Sequence, residues 1–222
     1  MSIHAHTADS GDHQNHGQED GGHGHALPPG HFHHFEPEQA YHASKFGMWL
    51  FLATEVLFFG GLFAAFAVFH SKYFHLFHES SKLLNWKLGG VNTIVLLISS
   101  YSMALGVDAA QHGNNKKVIK CLAITLLCAA TFMVIKYIEY STKFEHGIFP
   151  STNLFFALYF CLTGLHGIHV VIGIGAIAWV MSLAKKERFS KTYYTPCEVV
   201  GLYWHLVDLV WIYLFPLLYL IG

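Results

Sequence analysis

The sequence has little charge for its length. Only 12% of its 222 residues are Asp, Glu, Lys or Arg, whereas 53% are hydrophobic. Soluble domains carry about 25% charged residues, so this composition predicts a membrane protein. The formal net charge of -1 also gives no basic surface of the kind that nucleic-acid binding requires, and no nucleic-acid partner is expected.

Cysteine is scarce as well, and its spacing forms no motif. The four cysteines are Cys121, Cys128, Cys161 and Cys197, none in a Cys-x-x-Cys pattern and all in or beside apolar runs. They are interpreted as buried thiols rather than as disulfides or metal ligands. A secretory signal is also missing, because the first 44 residues contain neither Lys nor Arg and no apolar core segment.

The first 42 residues differ in composition from the rest of the chain. Residues 1–42 contain ten of the eighteen histidines, many glycines and six acidic residues. Such a segment buries too little apolar surface to offset the entropy of ordering it, so a disordered His/Gly-rich tail is predicted. Its clustered histidines either bind a transition metal loosely or form a solvated tail with adventitious metal affinity.

The remaining residues, 43–222, contain five apolar windows. Each is near or above the roughly 20 residues that a helix needs to cross a bilayer. The windows are approximately 46–69, 90–110, 118–140, 153–183 and 199–221. The links between them are short and carry turn or capping residues, namely Gly89-Gly90, Gly113-Asn114-Asn115 and Pro150-Ser151-Thr152-Asn153. The pattern predicts an all-α integral membrane protein, a bundle of five transmembrane helices without a soluble domain.

The basic residues near the span ends predict the orientation. If the N-terminus is inside, the inner segments hold eight Lys and Arg residues and the outer segments hold four. Cytoplasmic loops carry the excess of Lys and Arg, so a cytoplasmic N-terminus and an outward C-terminus are predicted.

Ionisable residues within the windows are the candidates for function. A charged side chain at the centre of a span costs about 2.5–3.5 kcal/mol on insertion scales, so such residues usually face the bundle and have partners. Glu55 lies near the middle of the first window and is expected to be protonated or paired. Lys136 and Glu139 are three residues apart and are predicted to pair on one helix face. The small residues Gly60 and Ala64 allow another helix to approach closely.

The fourth and fifth windows each carry a polar stripe. In the fourth, Thr163, His166 and His169 recur every three residues. In the fifth, three polar residues and Gly201 fall within an arc of roughly 80° around the helix axis. The polar residues are Glu198, His205 and Asp208. We expect the stripes to meet inside the bundle or at a partner, with Glu55 in contact with the His166/His169 stripe.

Several kinds of chemistry fit these residues. A metal site could combine the two histidines of the fourth window with His205 and Asp208. Hydrogen bonds among the same histidines and carboxylates explain these residues without a metal, and this is the favoured interpretation. A bis-histidine haem site usually draws one histidine from each of two helices, and His166 and His169 share one. A proton relay through Glu55, Glu139 and Asp208 is a further alternative, although the chain lacks the internal repeat common in transporters.

Five runs of the sequence, taken together, resemble subunit III of the haem-copper cytochrome oxidases. The resemblance covers residues 41 to 222 in order, and its most specific motifs are Gly-x-His-Gly-x-His and Tyr-Trp-His-x-Val-Asp-x-Val-Trp. The runs are WLFLATEVLFFGGLFAAFA (49–67), GVNTIVLLIS (90–99), KYIEY (136–140), TGLHGIHVVIG (163–173) and VGLYWHLVDLVWIYLFPLLY (200–219).

The resemblance implies an accessory subunit of a terminal oxidase in a respiratory chain. Such a complex reduces dioxygen to water with electrons from cytochrome c, which docks on other subunits, and it translocates protons. In the family, haem and copper belong to the larger subunits I and II. Subunit III has no redox cofactor and no catalytic centre of its own. It packs against subunit I, stabilises it, supports proton uptake and contacts membrane lipids, with phospholipid as a bound ligand.

The resemblance also carries over to individual residues. It implies that Glu55 is the family's intramembrane glutamate and that His166 and His169 are its paired histidines. The polar positions of the last spans, which are expected to be buried or to contact lipid or a subunit, are Glu139, Glu198, His205 and Asp208. The match begins at the third span of seven-helix members, as expected for a short five-helix bacterial form in the inner (plasma) membrane with a periplasmic C-terminus. The alternatives are subunit III of a quinol oxidase and a free-standing metal or proton transporter.

Overall fold

The computed structural model describes residues 37–190 and 193–221. Five of the helices in this part of the chain are long and apolar enough to cross a membrane, which confirms the predicted all-α architecture. The helices are α1 (Pro37–Lys72), α2 (Phe74–Ser81), α3 (Trp86–Gln111), α4 (Asn115–Glu145), α5 (Leu154–Lys185) and α6 (Thr195–Pro216), and the π-helical turn Leu217–Ile221 continues α6. We call the end at which α1, α4 and α6 begin the proximal end, and the opposite end distal.

Two boundaries differ from the sequence-based expectation. Helix α1 begins at Pro37, inside the segment 1–42 that composition assigns to the tail. Proline suits the first position of a helix because the N–H that it lacks has no partner there. The predicted disorder and the histidine clusters of residues 1–36 lie outside the described residues. Helix α2 was not predicted, because it has only eight residues and most of them are polar. Of its apolar side chains, only Phe77 is buried.

Asparagine begins three of the spans. The side chains of Asn85, Asn114 and Asn153 accept hydrogen bonds from the first free N–H groups of α3, α4 and α5. These bonds satisfy donors that have no partner within the helix. Gly113 ends α3 and Gly147 ends α4, with φ of 71° and 72°, a conformation that glycine adopts without a steric penalty. The predicted break between the second and third windows is therefore confirmed.

The Gly89-Gly90 pair, in contrast, does not form a turn. It lies inside the first turns of α3, which begins at Trp86. A Cβ atom on Gly89 would lie 2.7 Å from Cε2 of Phe215, so the glycine makes room for an aromatic ring of α6. The expectation that this pair interrupts the helix was wrong, because Gly89 allows close helix packing and does not reverse the chain.

Helices α3 to α6 form the core of the bundle. Helix α3 packs against α4 and α6, α5 packs between α4 and α6, and α1 lies against α6. Trp204 and Trp211 of α6 are fully buried at the centre. We compared the most apolar 18-residue window of each span. In the last span, 44% of this window is buried inside the chain, whereas in the first span the share is only 17%. Helix α1 is therefore a peripheral span whose outward face is not covered by the other described residues.

Candidate functional site: polar clusters within the spans

The first polar cluster joins α1 to α5 at mid-depth. His169 Nε2 lies 3.1 Å from Glu55 Oε2, and the two side chains are only 16% and 17% exposed. Phe59 packs edge-on against the His169 ring at a centroid distance of 5.2 Å. The predicted contact between Glu55 and the histidine stripe is thus confirmed for His169.

The proton count of this pair follows from its second hydrogen bond. His169 Nδ1 lies 2.8 Å from the carbonyl oxygen of Leu165, which can only accept, so Nδ1 carries a hydrogen. One proton then lies between Nε2 and Glu55 Oε2. The pair is either a neutral imidazole with a carboxylic acid or an imidazolium with a carboxylate, and both forms satisfy both side chains.

His166 does not join this pair. It is buried between α4 and α6, where its ring lies 5.6 Å from the Phe132 ring and 5.2 Å from the Trp211 ring. Neither ring nitrogen has a hydrogen-bond partner among the described residues. The part of the expectation that placed Glu55 against His166 was wrong, because His166 turns toward the core while His169, three residues on, turns toward α1.

The largest cluster lies toward the distal end around Glu139. Lys136 Nζ donates to Glu139 Oε2 at 2.9 Å, and Lys143 Nζ donates to Oε1 at 3.2 Å. The hydroxyl groups of Tyr159 and Tyr219 donate to the same Oε1 at 2.9 and 2.6 Å. The predicted pairing of Lys136 with Glu139 is confirmed, and one carboxylate serves two ammonium groups and two phenols from three helices.

Aromatic rings replace part of the hydration that the lysines lose in this cluster. Lys136 Nζ lies 4.5 Å from the centroid of the Trp211 ring, and Lys143 Nζ lies 5.1 Å from that of Tyr159. A cation over a ring face gains about 2 kcal/mol when it is desolvated. Lys143, Tyr159 and Tyr219 were not predicted to join this cluster, because tyrosines in apolar runs are common at membrane interfaces and Lys143 lies near a predicted span end.

A third cluster holds the proximal ends of α1 and α6 together. Lys45 Nζ lies 2.7 Å from Glu198 Oε1, and the Tyr41 hydroxyl donates to Oε2 at 3.3 Å. The ammonium group also lies 4.7 Å from the centroid of the Tyr41 ring. Within the described residues, helix α1 therefore has three polar attachments: this one, the Glu55–His169 pair, and His70 Nε2, which lies 3.2 Å from the carbonyl oxygen of Ile221.

His205 and Asp208 occupy the interface of α3 and α6. Ser100 Oγ lies 2.8 Å from His205 Nδ1, and one residue earlier Ser99 Oγ accepts from Trp204 Nε1 at 2.9 Å. Asp208 is 2% exposed, and neither of its oxygens has a hydrogen-bond partner among the described residues. Glu198, which pairs with Lys45 of α1, thus lies apart from His205 and Asp208, which share the α3 side of the same helix.

The residues considered for a metal site do not converge. His166 faces two aromatic rings, His169 faces Glu55 and His205 contacts Ser100. Among residues 37–190 and 193–221, no group of three or more His, Cys, Asp or Glu side chains has the arrangement of a metal site. Hydrogen bonding and packing account for these histidines.

Comparison with known proteins identifies the family. The family model described as cytochrome c oxidase subunit III matches residues 30–222. The chain belongs to that family. It is 35% identical over 201 residues to cytochrome c oxidase subunit 3 of Prototheca wickerhamii, an alignment that covers 86% of this chain and 73% of that protein. It is 36% identical to cytochrome c oxidase subunit 3 of Synechocystis, with 86% and 79% covered, and 34% identical to quinol oxidase subunit 3 of Bacillus subtilis, with 79% and 86% covered.

Membership of the subunit III family gives the polar clusters a context. The chain is a multi-pass membrane subunit of an oxidase complex, and this membership implies other oxidase subunits. Within the described residues, Glu55, Glu139 and Glu198 each join two or more helices. These three carboxyl groups therefore serve as contacts between the helices of a membrane protein.

We expect Glu55→Ala to loosen α1 and with it the attachment of this subunit III to its complex. The substitution leaves His169 Nε2 without its partner, and an unsatisfied buried polar group costs about 1–3 kcal/mol. The measurement is the amount of chain retained by the complex during purification in increasing detergent, together with proton pumping. Thr54→Ala is the matched control, because the Thr54 hydroxyl donates only to Phe51 O in its own helix. Unchanged retention and pumping in Glu55→Ala would contradict the role given to the pair.

Proposed function

We propose that this chain is the accessory, non-redox subunit III of a respiratory cytochrome c oxidase, where it stabilises subunit I and supports proton uptake. The observation that carries the proposal is that the polar groups at three points in the spans serve to join helices. The Glu55, Glu139 and Glu198 carboxyl groups each have their partners on other helices or on a neighbouring turn. Such an arrangement suits a subunit whose role is assembly, with haem and copper held by subunits I and II.

The outward face of α1 supports the presence of a partner helix. Among the described residues, no atom beyond the adjacent residues and backbone of their own helix lies within 4 Å of a Cβ built on Gly60 or Gly61. Small residues at membrane helix surfaces let a second backbone approach closely. We assign this face to a partner chain or to membrane lipid, including bound phospholipid, in a bacterial inner membrane.

The proposed orientation places the proximal end in the cytoplasm and the C-terminus in the periplasm. It rests on the excess of Lys and Arg in the segments at the proximal end. Lys45 and Glu198 would then lie near the cytoplasmic surface, and the Glu139 cluster nearer the periplasmic side.

A quinol oxidase subunit III is the second candidate, because the quinol oxidase relative from Bacillus subtilis is 34% identical over 181 residues. The electron donor binds other subunits, so the sequence of this chain does not select between the two. A free-standing metal or proton transporter has no comparable support.

Purification of this chain from native membranes in a gentle detergent tests the proposal. We expect a haem–copper core and two larger subunits to accompany it, identified by a reduced-minus-oxidised spectrum and by mass. Oxygen consumption with reduced cytochrome c or with quinol then identifies the donor. Recovery of the chain alone, without haem, would contradict the proposal.

A further inference from the structure

Asp208 is a buried acid that no contact described above explains. Its side chain is 2% exposed in the middle of the last span, and neither carboxyl oxygen has a hydrogen-bond partner within the described residues. Glu55, Glu139 and Glu198, in contrast, each face a histidine or a lysine. A buried carboxylate without a counter-ion costs far more than a neutral carboxylic acid, so such a group takes up a proton.

The groups that the neighbouring helices place near Asp208 are a hydroxyl and a thiol, and among the described residues no lysine or arginine donates to it. Helix α3 contributes Ser100, and α4 contributes the Cys128 thiol. On its own helix the neighbouring titratable group is His205, three residues earlier. Helix α5 contributes His166, which contacts Trp211 one turn further along α6.

We infer that Asp208 is a proton-binding site in the membrane interior, where the protonated carboxyl donates to Ser100 Oγ and Ser100 donates to His205 Nδ1. The Ser100–His205 contact of 2.8 Å is already formed, and the Asp208 carboxyl would complete the chain by donating to the same Ser100 Oγ. In this arrangement each donor has one acceptor, and His205 is the neutral tautomer with its hydrogen on Nε2. His205 is only partly buried, which gives the proton a route to the bundle surface.

Infrared spectroscopy of the intact oxidase complex tests this assignment. In the wild-type minus Asp208→Asn difference spectrum we expect the carbonyl stretch of a protonated carboxylic acid, which shifts in D2O. Asparagine is an uncharged group of the same shape, so Asp208→Asn should assemble and retain subunits as the wild type does. Glu198→Gln is the control, and it should lose carboxylate bands instead because Glu198 is paired with Lys45 at 2.7 Å.

A second variant keeps the acid in place. Ser100→Ala removes the proposed acceptor, and the carbonyl stretch assigned to Asp208 should then move to higher frequency without loss of intensity. The inference is overturned if Asp208→Asn removes carboxylate bands, if Asp208→Asn prevents assembly, or if Ser100→Ala leaves the carbonyl stretch where it was. These outcomes concern the charge of Asp208 and are independent of the electron donor.

Discussion

Glu139→Ala is expected to prevent stable assembly of this chain. The substitution leaves the ammonium groups of Lys136 and Lys143 buried without a counter-ion, and their side chains are only 10% and 7% exposed. Removing one partner of a buried ion pair costs about 3–5 kcal/mol, since the remaining charge stays out of water. The Tyr159 and Tyr219 hydroxyls also lose their acceptor. The measurements are the yield of intact complex and its thermal unfolding in detergent.

Two further variants separate charge from packing in this experiment. Glu79→Gln removes a carboxylate whose pKa is lowered by a hydrogen bond from Lys82, but both side chains are exposed, so stability should hardly change. Replacing Lys136 and Lys143 by Met together with Glu139→Leu removes all three charges and should recover part of the loss, because apolar groups can replace a buried charged set. An intact complex in Glu139→Ala alone would contradict the account of the cluster.

Gly173→Val is expected to destabilise the bundle through its core. A Cβ atom at position 173 would lie 2.7 Å from both Cε3 and Cζ3 of Trp204. The indole cannot easily retreat, because it is fully buried and its Nε1 donates to Ser99 Oγ at 2.9 Å. Overpacking of a well-packed core costs about 1–3 kcal/mol, and valine adds two methyl groups beyond the Cβ atom. A lower midpoint of thermal unfolding is the expected observation.

Gly175→Val is the matched control for this substitution. Gly175 lies two residues further along α5 and has nothing within 4 Å of a built Cβ atom. The intrinsic change in helix preference is the same for both variants, so their difference isolates the contact with Trp204. Equal thermal stability of the two variants would contradict the proposed steric role of Gly173.

Each polar cluster joins a different set of helices in the bundle. The Glu139 cluster joins α4, α5 and the end of α6, and the Ser99 and Ser100 contacts join α3 to α6. Helix α1 relies on polar contacts such as those of Glu55 and Glu198 because so little of its surface is buried within the chain. Substitutions at the α1 contacts should therefore affect attachment to the complex before they affect the core.

Composition and periodicity in the sequence determined the membrane class, the five spans and two of the three asparagine caps, Asn114 and Asn153. They also determined the Lys136–Glu139 pair, because three residues along one helix fix the relative direction of two side chains. Each of these features depends on neighbouring residues alone. The family resemblance rested on the same local runs, and the family model confirmed it.

The tertiary structure alone decided which polar groups meet across helices. It directed His169 rather than His166 toward Glu55, added Lys143 and Tyr219 to Glu139, and left Asp208 without a hydrogen-bond partner in the described part of the chain. Such contacts depend on the rotation and crossing of whole helices, which are set by close packing at positions such as Gly89 and Gly173 against aromatic rings of α6. The sequence of one helix shows on which face a side chain lies, but the residue that it contacts on another helix is determined by how the helices pack.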